Sequence, residues 1–229
     1  MKTSLRESLR AGAQLALAGL AAAVLLAGTW ALTRDRIAQS ERQARLQALE
    51  IVLPADRYDN DPIADSVTVT APAWLGQPTA TVHRARLEGE PSALVLEATA
   101  PDGYSGPIRL LVAVDPGGTV LGVRITAHQE TPGLGDDIEA GRSDWILGFE
   151  GRSLADPARE RWRVQRDGGH FPQFAGATLT VQTLTPRAVV SAVRRVLDFV
   201  AAHGGAVRDA DAGATLSFDD APIDPPPAR

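Results

Sequence analysis

The sequence predicts an α+β protein: one N-terminal transmembrane helix, then a single domain with a central, mostly antiparallel sheet. Three observations carry this. The run from Ala11 to Thr33 is uncharged and long enough to cross a bilayer. Runs rich in β-branched residues cluster between residues 66 and 126. Helical periodicity is confined to the two ends of the chain, and strands grouped between helices give α+β rather than repeated βαβ units.

The N-terminus comes first. A hydrocarbon core of roughly 30 Å needs about 20 helical residues. Leu15 to Leu32 supplies an apolar stretch of that kind, and the span is assigned to residues 12–33. Lys2, Arg6 and Arg10 precede it against Glu7 alone, which favours a cytoplasmic segment 1–11. Trp30 lies at the far end, where an interfacial aromatic belongs. The competing reading is a cleaved signal peptide. The run exceeds the usual apolar region of about 7–15 residues, and no small-x-small site closes it.

Residues 34–54 carry a helical stripe at Ile37, Ala44, Leu46, Leu49 and Val52 and read as a stalk helix ending near Pro54. Strands follow at 66–71, 79–87, 93–98, 108–114 and 120–126. The sequence Asp115-Pro-Gly-Gly118 between the last two predicts a hairpin. Residues 144–149 read as a short helix and 162–166 as a further strand. Thr185-Pro186 reads as a helix start, Thr as N-cap and Pro at the first helical position, with the helix running to about Ala202. The domain therefore spans 55–203. The Ala/Asp/Gly/Pro-rich remainder, 204–229, reads as a disordered tail.

Composition narrows the function. The net charge is −5, and because residues 1–33 carry +2, the rest of the chain carries −7. Such a domain lacks the cationic surface that nucleic-acid binding needs. There is no cysteine, which removes disulfides, thiolate metal sites and iron–sulfur ligation by this chain. No G-x-G-x-x-G, G-x-x-x-x-G-K or G-x-S-x-G motif is present. His128 and Glu130, with Asp136, Asp137 and Glu139 beyond, contain ligand atoms. Without H-E-x-x-H or a second nearby histidine they argue against a catalytic metal.

Three segments remain as candidates for binding. A helix start at Thr185 would present unpaired N–H groups and a positive dipole end, suited to a phosphate, with hydroxyls just upstream at Thr178, Thr180 and Thr183. In HQETPGLG, residues 128–135, Pro132 restricts Thr131. Gly133 and Gly135 allow close backbone approach, so a flat ring could pack there; an ordinary turn is the alternative. In EATAPDGYSG, residues 97–106, Tyr104 and Ser105 stand on a turn-rich rim that a plain solvent loop would equally explain. Trp145 reads as a core aromatic that could also flank a ring.

These segments also carry a resemblance. Residues 97–106 and 128–136, SDW at 143–145, DGG at 167–169, TPRAVV at 185–190 and LPADRY at 53–58 resemble the G subunit of the Rnf/Rsx ion-translocating oxidoreductase complex. More distantly, the chain is similar to the C subunit of sodium-translocating NADH:quinone reductase. The resemblance runs from the membrane helix to about residue 202. It implies a single-pass bacterial inner-membrane protein with a periplasmic FMN-binding domain. It implies FMN joined through its phosphate to a threonine of a Ser/Thr-Gly-Ala-Thr motif by a separate flavin transferase. It further implies electron transfer with other membrane and iron–sulfur subunits, coupled to ion translocation, and no independent catalysis. Residue by residue, it points to Thr178 as the esterified threonine, with Gly176, Ala177, Thr180, Thr183 and Thr185 around it. Glu130, Thr131, Pro132, Gly133, Leu134, Gly135, Tyr104, Ser105 and Trp145 are further cofactor-binding candidates.

The chain departs from the family pattern here. Ala175 stands where the motif has Ser or Thr, and Pro172 where it has Asp. Six residues, Leu179 through Leu184, separate Thr178 from Thr185-Pro186 where one is usual. Thr178 keeps the local Gly-Ala-Thr pattern; Thr183 keeps the distance to the Thr-Pro pair. Thr178 is favoured, because a transferase reads a local peptide. A membrane-anchored structural subunit without flavin, and an exported binding domain with no redox role, stand as the alternatives.

Overall fold

The computed structural model describes residues 2–174 and 181–222. The chain divides into two units, 1–45 and 46–229. Helix α1 spans Lys2–Val52, so the predicted membrane and stalk segments are one continuous helix. Within it Leu15–Arg34 is long and apolar enough to cross a membrane, with mean hydropathy 2.1 and none of it buried. The guanidinium of Arg34 lies 5.5 Å from the Trp30 ring centroid, an aromatic–cation pair at the end of the apolar run.

The second unit holds a six-stranded sheet in the order β5-β4-β3-β2-β1-β6. The strands are β1 (Ser66–Thr70), β2 (Ala80–Leu87), β3 (Glu90–Ala100), β4 (Ile108–Val114), β5 (Val120–Ala127) and β6 (Thr215–Ser217). All pairings are antiparallel except β1 with β6. β3 begins earlier than expected because Glu88 and Gly89, both at positive φ, make a two-residue turn that lets Leu87 pair with Glu90. The β4–β5 hairpin is closed as anticipated. Asp115 Oδ1 accepts the Thr119 N–H at 2.8 Å, and Gly118 takes φ +84.

One sheet face packs against helix α3 (Val181–Asp209), the short helix α2 (Pro72–Leu75) and the loops between residues 136 and 174. Val82, Leu96, Leu110 and Val112 from the strands meet Val189, Val193, Val196 and Phe199 from α3, and all are essentially inaccessible. Each such side chain contributes roughly 1.5–3 kcal/mol by leaving water. The opposite face is covered at Ala85, Ala93, Val95 and Ala113 by Leu49, Val52 and Leu53 from the end of α1 and the residue after it. A Cβ at Gly122 would lie 2.6 Å from the Val52 carbonyl oxygen, so only glycine allows β5 to approach so closely.

Three expectations are corrected. α3 already includes Val181, so Thr185 is no N-cap and Pro186 sits in the helix interior. Packing overrides the cost of a mid-helix proline, about 3 kcal/mol, because Val181, Thr183, Thr185 and Pro186 are all buried. Residues 162–166 form no strand. Short 3-10 turns at Arg159–Arg161 and Gln165–Asp167 flank one isolated bridge, Val164 to Phe171, because Trp162, Val164 and Phe171 all turn into the aromatic core. The described part of 204–229 is ordered. α3 continues to Asp209, and after a turn at Gly213 the chain adds β6 beside β1.

Arginines explain that last outcome. Arg84 donates to the carbonyls of Val207, Arg208 and Ala210, and Arg86 donates to Arg208 O at 3.1 Å. Both guanidinium groups thus occupy the electronegative end of α3. Asp65 binds the pair, with Arg84 Nε at 2.7 Å and Arg86 Nε at 2.8 Å. Beyond β6, Phe218 packs on His203 and Phe199, and the Trp74 indole N–H donates to Asp220 O at 2.9 Å.

Candidate functional site

The loop at 128–136 follows directly from β5, and its geometry is set by two carboxylates. Glu130 is buried, 4% exposed, and its side chain turns inward. Its Oε1 accepts the Ser105 backbone N–H at 3.1 Å, and its Oε2 accepts the Thr185 hydroxyl at 2.8 Å. One carboxylate thus ties the loop after β5, the loop before β4 and the first turns of α3. A charged acceptor buried this far needs such donors. Glycines clear the space around it: a Cβ on Gly103 would lie 2.9 Å from Oε1, and one on Gly135 would lie 2.6 Å from Oε2 and 3.2 Å from Val181 Cγ1.

Asp136 shapes the tip. Its Oδ1 accepts the Gly133 N–H at 2.6 Å, while Oδ2 pairs with Arg142 Nε at 3.2 Å. Leu134 and Gly135 N–H groups donate to Thr131 O at 3.1 and 3.0 Å. Gly133 takes φ +77, which a side chain would resist. Three consecutive N–H groups are therefore satisfied inside the loop. Thr131, Pro132, Gly133 and Leu134 are exposed, as is Tyr104 on the neighbouring rim. The loop offers a pre-shaped, largely apolar surface rather than a set of waiting N–H donors.

His128 supports the loop's start. Its Nδ1 accepts the Glu130 N–H at 3.1 Å, so the ring proton sits on Nε2, which donates to Glu139 Oε1 at 2.6 Å. His128 and Glu130 therefore face different partners and do not converge on a cation.

Trp145 marks the other side. Asp137 O accepts the Ser143 hydroxyl at 2.7 Å, and Ser143 Oγ accepts the Trp145 N–H at 3.1 Å, linking it to the end of the same loop. The Trp145 indole N–H donates to Pro172 O at 2.7 Å, and its ring meets Phe149 and Phe174 edge-on at 5.3 and 5.2 Å. Asp167 receives Arg187 through two bonds of 2.7 and 2.8 Å, fastening the 159–174 loop to α3.

Glu130, Ser105, Gly135 and Thr185 are thus brought together; Trp145 stands to one side with Phe174. Thr183 lies on α3 and is buried, 6% exposed. Gly176, Ala177, Thr178 and Thr180 lie outside the described residues. Sequence reading missed Gly103, Asp136 and the Arg187–Asp167 pair. The signal for Asp136 was its place three residues after Gly133, where a carboxylate can take a turn N–H. Gly103 is constrained locally by Gly106 O, 2.2 Å from where a Cβ would lie, but its role beside Glu130, like the Arg187–Asp167 pair, depends on a partner 20 or more residues away.

Comparison with known proteins places this geometry. Residues 103–198 match the FMN-binding domain family, and residues 1–52 match the RnfG N-terminal region. The chain is 48% identical over 199 residues to the G subunit of the ion-translocating oxidoreductase complex of Pseudomonas aeruginosa strain UCBPP-PA14, covering 86% of this chain and 91% of that one. The chain belongs to this G-subunit family. The G subunit of the same complex in Vibrio cholerae strain M66-2 is 43% identical over 89% of this chain and 93% of its own length. That of Escherichia coli O157:H7 is 47% identical over 80% and 86%. The RnfG N-terminal match ends at Val52, where α1 ends. The FMN-binding match begins at Gly103 and contains every candidate site residue, while β1 to β3 precede it.

Proposed function

We propose that this chain is a membrane-anchored electron-transfer subunit of a complex that couples electron transfer to ion translocation, carrying FMN esterified to Thr178. The observation that carries the reading is the FMN-binding match over 103–198, which encloses both the Gly-Ala-Thr sequence at 176–178 and the Glu130 junction. FMN, when bound, supplies reversible electron acceptance that no side chain of this cysteine-free chain offers.

The residues fit such a group. Leu134, Tyr104 and the backbone of Thr131–Gly133 are exposed and largely apolar, and Trp145 is linked to the end of the same loop through Ser143. The loop N–H groups are already used, so ring packing there would be by dispersion and shape. Phe174 and Val181, which flank the Gly-Ala-Thr segment, both belong to this neighbourhood: Phe174 rests on Trp145, and Val181 abuts Gly135. Thr183 is a poorer target, since its side chain is buried within α3 and a transferase needs an accessible hydroxyl. The Thr178 Oγ1–P bond would form as the P–O bond between the flavin phosphate and the leaving group of the transferase's activated flavin donor breaks, the leaving group departing as a phosphate anion and the hydroxyl proton passing to a base of the transferase.

The chain would sit in the bacterial inner membrane, N-terminus in the cytoplasm and domain in the periplasm. The basic residues before the apolar run support that orientation. Its partners would be the other membrane and iron–sulfur subunits. Ala175 and Pro172, which depart from the flavin-attachment pattern, favour the second reading: a structural subunit without flavin.

Co-expression with a flavin transferase tests both. Flavin absorbance should persist in denatured, washed protein. The tryptic peptide 167–187 should gain the mass of one FMN less one water. A chain that never holds flavin under those conditions establishes the structural reading.

A further inference from the structure

Although residues 34–229 carry −7, four arginines fall within eight residues at 159–166. Arg159 is neutralised by Asp198, at 2.7 Å. Arg161, Arg163 and Arg166 are exposed, and none forms an ion pair with a described residue. Their exposure follows from the fold. Trp162 and Val164 are buried in the aromatic core, whereas Arg161 and Arg163 beside them are exposed. Gly169 packs tightly on the Arg163 backbone, where a Cβ would lie 2.0 Å from Arg163 O, so this part of the loop is closely held. The bonds from Arg187 hold the Asp167 carboxyl below its ordinary range, and the charges of Arg163 and Arg166 add to this. Since Arg187 cancels Asp167, Glu160 alone among residues 159–174 opposes the three.

The position is as informative as the charge. The loop runs on through Pro172 and Phe174, which rest on Trp145, to the Gly-Ala-Thr segment. We propose that Arg161, Arg163 and Arg166 form a docking surface for an acidic patch on a protein electron-transfer partner, beside the flavin. The inference rests on the FMN reading for the partner's role, though not for the docking itself. Redox encounters use small interfaces, and complementary charge raises their on-rate and sets their orientation. An anionic lipid surface is the weaker occupant. Lipid attraction is about 1 kcal/mol per cation and wants a uniformly basic face. Here Glu160 interrupts the run, and Asp137 and Asp144 lie in the segment that leads through Ser143 to Trp145. A two-signed rim would be repelled in part by a lipid sheet but would orient a protein.

The test uses the full chain in native membranes that hold its complex. The variant R161K/R163K/R166K keeps the charge and adds primary amines for zero-length carbodiimide coupling to carboxylates. The proposal expects isopeptide bonds from Lys at these positions to Asp or Glu of a second polypeptide, with yield falling at least about fivefold in 0.5 M salt. In R161E/R163E/R166E, electron exchange with the flavin should slow about tenfold while flavin content is unchanged. Coupling within this chain alone, or no coupling, overturns the proposal. So does an unchanged rate in the charge-reversal variant. Wild-type chain in neutral nanodiscs that binds anionic phospholipid vesicles, with binding lost in R161E/R163E/R166E, assigns the patch to lipid instead. Coupling is read without flavin. A chain that couples but lacks FMN sinks the functional reading and leaves the docking surface standing.

Discussion

The Thr185 hydroxyl donates to Glu130 Oε2 over 2.8 Å, joining the first turns of α3 to the loop after β5 across 55 residues of sequence. Both groups are buried, so neither can exchange its partner for water. Thr185→Val keeps the shape and removes the donor. The carboxylate would keep the Ser105 N–H but lose its second partner. Hydrogen bonds to a charged group are worth roughly 1.5–3 kcal/mol, and the variant should lose stability of that order in denaturant titration of the full chain. Thr185→Ser, which restores a hydroxyl, should recover most of it. Equal stability of the Val variant would mean that water reaches the Glu130 carboxylate.

Gly133 and Gly135 should separate binding from folding. At Gly135 a methyl group would meet Glu130 Oε2 at 2.6 Å, so Gly135→Ala should displace the carboxylate and lower stability by about 1–3 kcal/mol. At Gly133 no atom of the described residues beyond its chain neighbours lies within 4 Å of an added Cβ, and the penalty there comes from φ +77. Gly133→Val should therefore cost about 1–2 kcal/mol and leave the fold intact, while shifting the flavin absorbance maximum or potential. A folded Gly133→Val chain with unaltered flavin properties would place the ring elsewhere.

Threonine substitution should identify the attachment site. Thr178→Val should abolish covalent flavin, read as fluorescence of the denatured chain in a gel. Thr183→Val, at a position already buried in α3, should leave it unchanged. Reversed outcomes would show that distance to the Thr-Pro pair, rather than the Gly-Ala-Thr peptide, directs the transferase.

Acid should loosen the C-terminal end first. Burial works to raise the Asp65 pKa, but hydrogen bonds and charge from Arg86 and Arg84 outweigh it and hold the carboxyl below its usual range. A carboxylate depressed in the folded state contributes stability that is fully present above the unfolded pKa, about 3.9. That contribution is lost as pH falls through the folded value. Hydrogen exchange of α3 residues 200–209 and of β6 should therefore accelerate below about pH 4, ahead of the central strands. Asp65→Asn should bring the same acceleration at neutral pH and remove its pH dependence. Uniform acceleration across the sheet in the variant would contradict a local role.

Much of the framework was legible in the sequence because its causes are local. The uncharged run at 11–33 and the strands at 66–70, 80–87, 108–114 and 120–127 follow from composition and alternation, and the hairpin from Asp115-Pro-Gly-Gly118. The binding loop was legible as a loop, from Pro132, Gly133 and Gly135. Its fixed shape was not, since that shape depends on Asp136 taking the Gly133 N–H and on Glu130 finding Ser105 and Thr185.

Where local preference and packing conflict, tertiary structure decided. Thr185-Pro186 has the chemistry of a helix start, yet α3 extends past it toward the N-terminus because Val181, Thr183 and Thr185 have buried sites to fill. Residues 162–166 have the composition of a strand, but Trp162 and Val164 gain more from the aromatic core than from a ladder. The Ala/Gly/Asp-rich end lacks the apolar content to order itself. It orders because Arg84 and Arg86, more than 120 residues earlier, meet the last carbonyls of α3, and β1 offers its edge to β6. Sequence determined the elements whose stabilising partners lie within a few residues. Burial and charges from distant parts of the chain decided where α3 begins, how its end is held, and which way Glu130 points.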